Sequence, residues 1–136
     1  MGSFSSTFFL ENEQYSVLAL VHETHQDGNG NGQPISKVYS DELLMTLEIT
    51  GSMLALIQWA HDQRKTLPGR VVFHADDGIS PSVQLTFEDG ICVSYEEHFE
   101  TNSAGQPAFY CQISVVARRF MLDDVVFDNR WPVQVP

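Results

Sequence analysis

Two stretches of this chain alternate apolar and polar side chains residue by residue, and they limit its possible folds more than any other feature. Val83, Leu85 and Phe87 are interleaved with Gln84, Thr86 and Glu88, and Phe109, Cys111, Ile113, Val115 and Ala117 with Tyr110, Gln112, Ser114, Val116 and Arg118. Side chains with a period of two stand on opposite faces of a strand, so each stretch presents one apolar face to a core. The segments Ser3–Leu10, Gln14–Thr24, Asp41–Thr50, Arg70–Ala75, Ile91–Glu100 and Arg119–Phe127 carry the β-branched and aromatic enrichment of strands. Between them, Glu11-Asn12-Glu13, Asp76-Asp77-Gly78, Asp89-Gly90 and Asn102-Ser103-Ala104-Gly105 supply residues that tolerate positive φ, so short hairpins are expected.

One segment breaks this pattern. Met53, Leu54, Leu56, Ile57, Ala60 and His61 recur at steps of three and four, after Ser52 as an N-cap and before Leu67-Pro68-Gly69 as a stop, which predicts a helix over about 52–65. The expected fold is mainly β: an antiparallel β-barrel or closed sandwich of about eight strands with one packed α-helix. Closure removes the exposed edges that eight antiparallel strands would otherwise leave. With 136 residues and neither repeat nor linker, residues 1–136 are expected to form a single domain.

Charge narrows the functional classes. Seven basic against eighteen acidic residues give a net charge of −11, which argues against nucleic-acid or anionic-membrane partners. No apolar run approaches the ~20 residues of a bilayer-spanning helix, so no membrane insertion is expected. Two cysteines are too few for a disulfide framework, and nothing at the start resembles a cleaved signal, so a cytoplasmic origin is expected.

Chemistry-bearing motifs are sparse. Asp27-Gly28-Asn29-Gly30-Asn31-Gly32 matches the first half of a calcium loop, but Val38 stands where the closing bidentate Glu is required. The same segment is long for a hairpin connection, and long loops often touch partners. The five histidines lack metal-ligand spacing, and Cys92 and Cys111 read as buried thiols whose mutual register is open. Glu96-Glu97 places two carboxylates on opposite faces of a strand, not as a facing acid and base. Catalytic, metal-ligating and cofactor-binding residues are therefore expected to be absent, and no cofactor is expected. Consecutive aliphatic side chains at Leu43–Met45, Val71-Val72 and Val115-Val116 require at least one of each set to face away from a single core. Leu44, Val71, Val72, Val115 and Val116 are the candidates for inter-subunit contact.

The order of several short motifs resembles the Hcp (TssD) tube proteins of bacterial type VI secretion systems, in their short single-domain branch. The resemblance rests on Gly32-Gln33-Pro34 with Ser36 and Val38, Trp59 in the helix closing at Gly69, and Val72-Phe73. It continues through Leu85-Thr86-Phe87-Glu88-Asp89-Gly90, Cys92 to Phe99, Ser114 to Arg118, and Asn129-Arg130-Trp131-Pro132. Tyr39-Ser40-Asp41-Glu42 and the Asp/Gly/Asn-rich segment before Gly32 depart from the family pattern. The resemblance implies a β-barrel with a helix against it, homo-hexameric rings with a central channel, and stacking of the rings into a tube that carries small effectors. It implies a contractile sheath, a spike (VgrG-like) protein and secreted effectors as partners, and export without a signal peptide. Under it, Asp27, Asn29, Asn31, Gln33, Pro34 and Val38 are expected to form a loop touching the next ring. Moderate salt is expected to leave assembly unchanged or to help it, by screening like charge. Two other readings stay open: a small-ligand-binding barrel acting as a monomer, and a hydrolase or transferase using His98 with Glu96, Glu97 or Cys92.

Overall fold

A computed structural model describes residues 4–28, 34–62, 64–75, 82–101 and 103–128. Seven strands and one helix follow in the order β1 (Phe4–Leu10), β2 (Glu13–Gly28), β3 (Pro34–Glu48), α1 (Leu54–Ala60), β4 (Leu67–Ala75), β5 (Val83–Thr101), β6 (Pro107–Leu122) and β7 (Val125–Asp128). The sheet runs β3-β2-β1-β4-β5-β6-β7, and β3 pairs again with β6, which closes six strands into an antiparallel barrel with β7 as an extra strand. The long β6 shares one edge between two partners, with Tyr110 to Val115 on β3 and Arg119 to Leu122 on β7.

The barrel and its two strongest alternating stretches match the expectation, while several boundaries differ for physical reasons. Seven strands form among the described residues, close to the expected number, and Asp89-Gly90 bends a strand without ending it. Asp89 adopts φ 53° and Pro68 on β4 faces one residue too many on β5, a bulge that leaves the β5–β6 ladder continuous. The second strand break falls at Asp123-Asp124, with Asp123 at φ 51°, and not at Arg118-Arg119. The connection at 27–38 is shorter than expected, since Gln26 pairs with Val38 and Gly28 with Pro34; Asp27, Pro34 and Val38 belong to paired strand arms. Asn29, Asn31 and Gln33 lie outside the described residues.

The helix spans seven residues, not fourteen. Asp62 ends it: its carboxylate accepts the Arg64 N–H at 3.0 Å, and its own N–H turns back to the Trp59 carbonyl, a local bonding pattern that competes with another helical turn. Met53 is the N-cap, and it provides no side-chain cap. The first-turn donors are satisfied from another element: Glu13, beside the β1–β2 turn, accepts the Ala55 N–H at 3.1 Å, the Leu56 N–H at 3.4 Å and the Ser52 hydroxyl at 3.1 Å. Ser52 is thus a donor to the capping group and not the cap itself.

The core fills the barrel. Phe8, Leu10, Leu43, Leu47, Leu56, Trp59, Val71, Val115 and Phe120 are fully buried, and Phe87 nearly so. Trp59 stacks on Phe87 at 6.0 Å and its indole N–H donates to the Gly90 carbonyl at 2.9 Å, so one side chain joins the helix to β5 by both packing and a hydrogen bond. Glycine at 69 and 90 makes this possible: a Cβ at either position would lie 2.3 Å from the Phe87 ring. An interior filled in this way is a core and not a container.

Candidate assembly surface

The site of interest is the outside of the barrel, because strand pairing carries rows of side chains across several strands. On one wall, Val21, Leu44, Ser114 and Ser94 form a row over β2, β3, β6 and β5, beside a second row of Ala19, Thr46, Gln112 and Glu96. Between these rows lies a groove of about 350 Å³. Val21 and Leu44 are 52% and 37% exposed, and two further aliphatic side chains join them, Leu18 at 55% and Val93 at 52%. Both additions sit where the ladder slips, between Val17 and Ala19 and between Cys92 and Ser94. A bulge inserts an extra residue and re-aims the strand.

A second wall carries the row Phe9, Arg70, Thr86, Met121 and Val126 over β1, β4, β5, β6 and β7. The Arg70 guanidinium lies 4.5 Å from the centre of the Phe9 ring. A shallow depression of about 430 Å³ surrounds this pair. The two walls share β5 and β6, but Leu44 on β3 and Arg70 on β4 are three pairings apart in either direction around the barrel, by way of β2 and β1 or of β6 and β5. These two residues therefore stand on opposite sides.

The pleat sorts the expected contact residues. Leu44 points outward and Val72 and Val116 are half-buried, whereas Val71 and Val115 are at 0% exposure in the protomer's own core. Of the five, Leu44, Val72 and Val116 reach the protomer's outer surface and Val71 and Val115 do not, because adjacent strand residues face opposite sides. The two long hairpins leave opposite ends of the barrel, since antiparallel pairing of β3 with β6 sets the β2–β3 tip beyond Leu43 and the β5–β6 tip beyond Tyr110.

Elsewhere the ionisable groups do not converge. His98 lies stacked against Tyr110 on the outer face, with its Nε2 3.5 Å from Glu96, while Cys92 is buried on the inner face. Glu97 and Glu100 accept hydrogen bonds from Tyr95 and Tyr110, both at 2.7 Å. His98 thus meets Glu96 alone of the expected set, with Glu97 held by Tyr95 and Cys92 buried on the inner face. Burial pushes the Cys92 thiol up to about 11 and the Cys111 thiol up to about 12, away from the reactive thiolate. Cys92 pairs with Val115, four residues from Cys111, which is about 13 Å along a strand and beyond disulfide reach. His22 points inward against Phe120 at 5.2 Å, and burial holds its imidazole below the usual range. Among the described residues no group of three His, Cys, Asp or Glu could hold a metal ion, and no helix is long and apolar enough to cross a membrane.

Residue spacing alone missed the Phe9–Arg70 pair, the bulged Leu18 and Val93, and the Glu13 cap. Each depends on register between distant segments.

Comparison with known proteins yields the same architecture. The chain is similar in structure to Hcp1 from Flavobacterium johnsoniae, with TM-score 0.75, 24% identity and coverage of 92% of this chain and 99% of that one. It is also similar to Hcp1 from Salmonella typhimurium, with TM-score 0.70, 12% identity and coverage of 94% and 96%. For Hcp3 from Pseudomonas aeruginosa the TM-score is 0.63 at 8% identity, covering 96% of this chain and 100% of that one. No curated protein sequence matches. The family model for hemolysin coregulated protein Hcp (TssD) matches residues 2–132, and the chain belongs to that family.

Proposed function

We propose that this chain is a structural tube subunit of a type VI secretion apparatus. Six copies form a ring around a central channel, and rings stack into an inner tube that carries effectors, is driven by a contractile sheath and ends in a spike (VgrG-like) protein. The subunit leaves the cell with the tube, and residues 1–136 act as one domain without chemistry of their own. The supporting observation is family membership across residues 2–132 of a closed barrel bearing exposed aliphatic side chains on its outer walls. A cyclic ring uses heterologous contacts, in which one surface of each subunit meets a different surface of the next, and two unlike walls meet that need. The β2–β3 hairpin, with Asp27, Asn29, Asn31, Gln33, Pro34 and Val38, supplies the contact to the next ring. Native mass measurement with negative-stain imaging tests this: rings of six are expected, and a particle that stays a monomer at every concentration overturns it.

A further inference from the structure

Glu23 and Glu42 stand directly opposite one another in the β2–β3 ladder, in phase with the outward pair Val21 and Leu44. Like charges in directly opposed positions destabilise a strand pair. Neither carboxylate has a cation within ion-pair distance among the described residues. On the second wall, Arg70 is exposed and has no carboxylate partner among the described residues; its guanidinium rests on Phe9. Arg118 and Arg119, by contrast, are engaged within the chain by Glu88 and Asp89.

We propose that in the ring Arg70 of each protomer docks at the edge of its neighbour's β2–β3–β6 groove and bridges Glu23 and Glu42. This rests on the ring reading above and adds which wall meets which. The two surfaces are complementary in charge. The planar guanidinium presents donors in two directions and suits two adjacent carboxylates better than a point charge does. Phe9 pre-positions it, and Val21 and Leu44 supply the apolar surface that excludes water around the bridge. Because Arg70 on β4 and Glu42 on β3 are three pairings apart in either direction around the barrel, every protomer gives one cation and receives one, and a closed ring leaves none unmatched.

A double-mutant cycle tests the contact in the full chain, with the concentration for half-assembly read by analytical ultracentrifugation. R70Q and the pair E23Q/E42Q should each raise that concentration about tenfold or more. The combined R70Q/E23Q/E42Q chain should lose little beyond either alone, because the three groups act as one contact. Thermal melts of dilute protomer provide the folding control: R70Q is expected to melt as the wild type does, and E23Q/E42Q at the same temperature or higher. Wild-type rings that survive R70Q unchanged, or losses that simply add, overturn the contact while leaving the ring reading intact. A wild-type chain that never forms rings overturns both.

Discussion

Removing the Glu13 carboxylate perturbs the polar group that caps the helix and ties its first turn to the barrel. Its two oxygens accept hydrogen bonds from the Ala55 and Leu56 N–H groups, the Ser52 hydroxyl and, by a short contact, the Tyr15 hydroxyl. Loss of a helix cap costs about 1 kcal/mol, and hydrogen bonds to a charged acceptor contribute about 1.5–3 kcal/mol each where shielded. Glu13 is only partly buried, so water replaces part of this, and Glu13→Ala should cost about 2 kcal/mol in total. For a chain of this size that is a fall in Tm of about 6–10 °C, with Glu13→Gln losing about half as much because its amide oxygen still accepts. Far-UV circular dichroism melts at one fixed protein concentration measure it. Burial raises the Glu13 pKa, but the bonds from Tyr15, Ala55, Ser52 and Leu56 outweigh burial and hold it below the usual range. A folded-state pKa below the unfolded one gives stability that is present above the unfolded value and lost as pH falls through the folded one. Wild type and Glu13→Gln should therefore differ at neutral pH and converge in acid. A Glu13→Ala melt within about 1 °C of wild type at neutral pH would refute the cap assignment.

Other expectations follow from packing, burial and charge. Gly90→Ala drives a Cβ to 2.3 Å from the Phe87 ring and 3.0 Å from the Leu67 carbonyl, so it should destabilise by about 2–3 kcal/mol in a chemical denaturation series. Cys92 and Cys111, with thiols raised to about 11 and about 12, should resist a thiol reagent at neutral pH in the native state and react fully in denaturant; fast native labelling contradicts their burial. Deleting Asp27–Val38 should preserve rings and abolish their stacking; unchanged tube length in electron micrographs removes the hairpin from that role. Raising salt toward about 0.15 M should leave ring assembly unchanged or strengthen it, because long-range repulsion is screened before a buried bridge is. Dissociation over that range in sedimentation runs counts against it.

The period-two stretches at 83–87 and 109–117 made the barrel legible, because burial of one strand face leaves a mark in each residue's neighbours. Register left no such mark. Asp89-Gly90 carries the composition of a turn, and only its pairing with β4 and β6 makes it a bulge within one strand. The helix period ran on past Ala60 in the sequence, but the Asp62 side chain offered the backbone a closer partner. Val71 and Val72 announced that one of them faces outward, and the ladder with β1 and β5 decides that it is Val72. The outer walls were legible only as pairs of adjacent aliphatics. Arg70 gains meaning from Phe9, sixty-one positions away, and Glu23 from Glu42, and such juxtapositions belong to topology.

Self-association through these walls is the claim on which the functional account depends. Native mass spectrometry of the full-length chain at micromolar concentration and near-physiological ionic strength tests it most directly. The account predicts a dominant species of six protomer masses that images as a ring with a central hole. A single protomer mass that persists across a hundredfold range of concentration contradicts it.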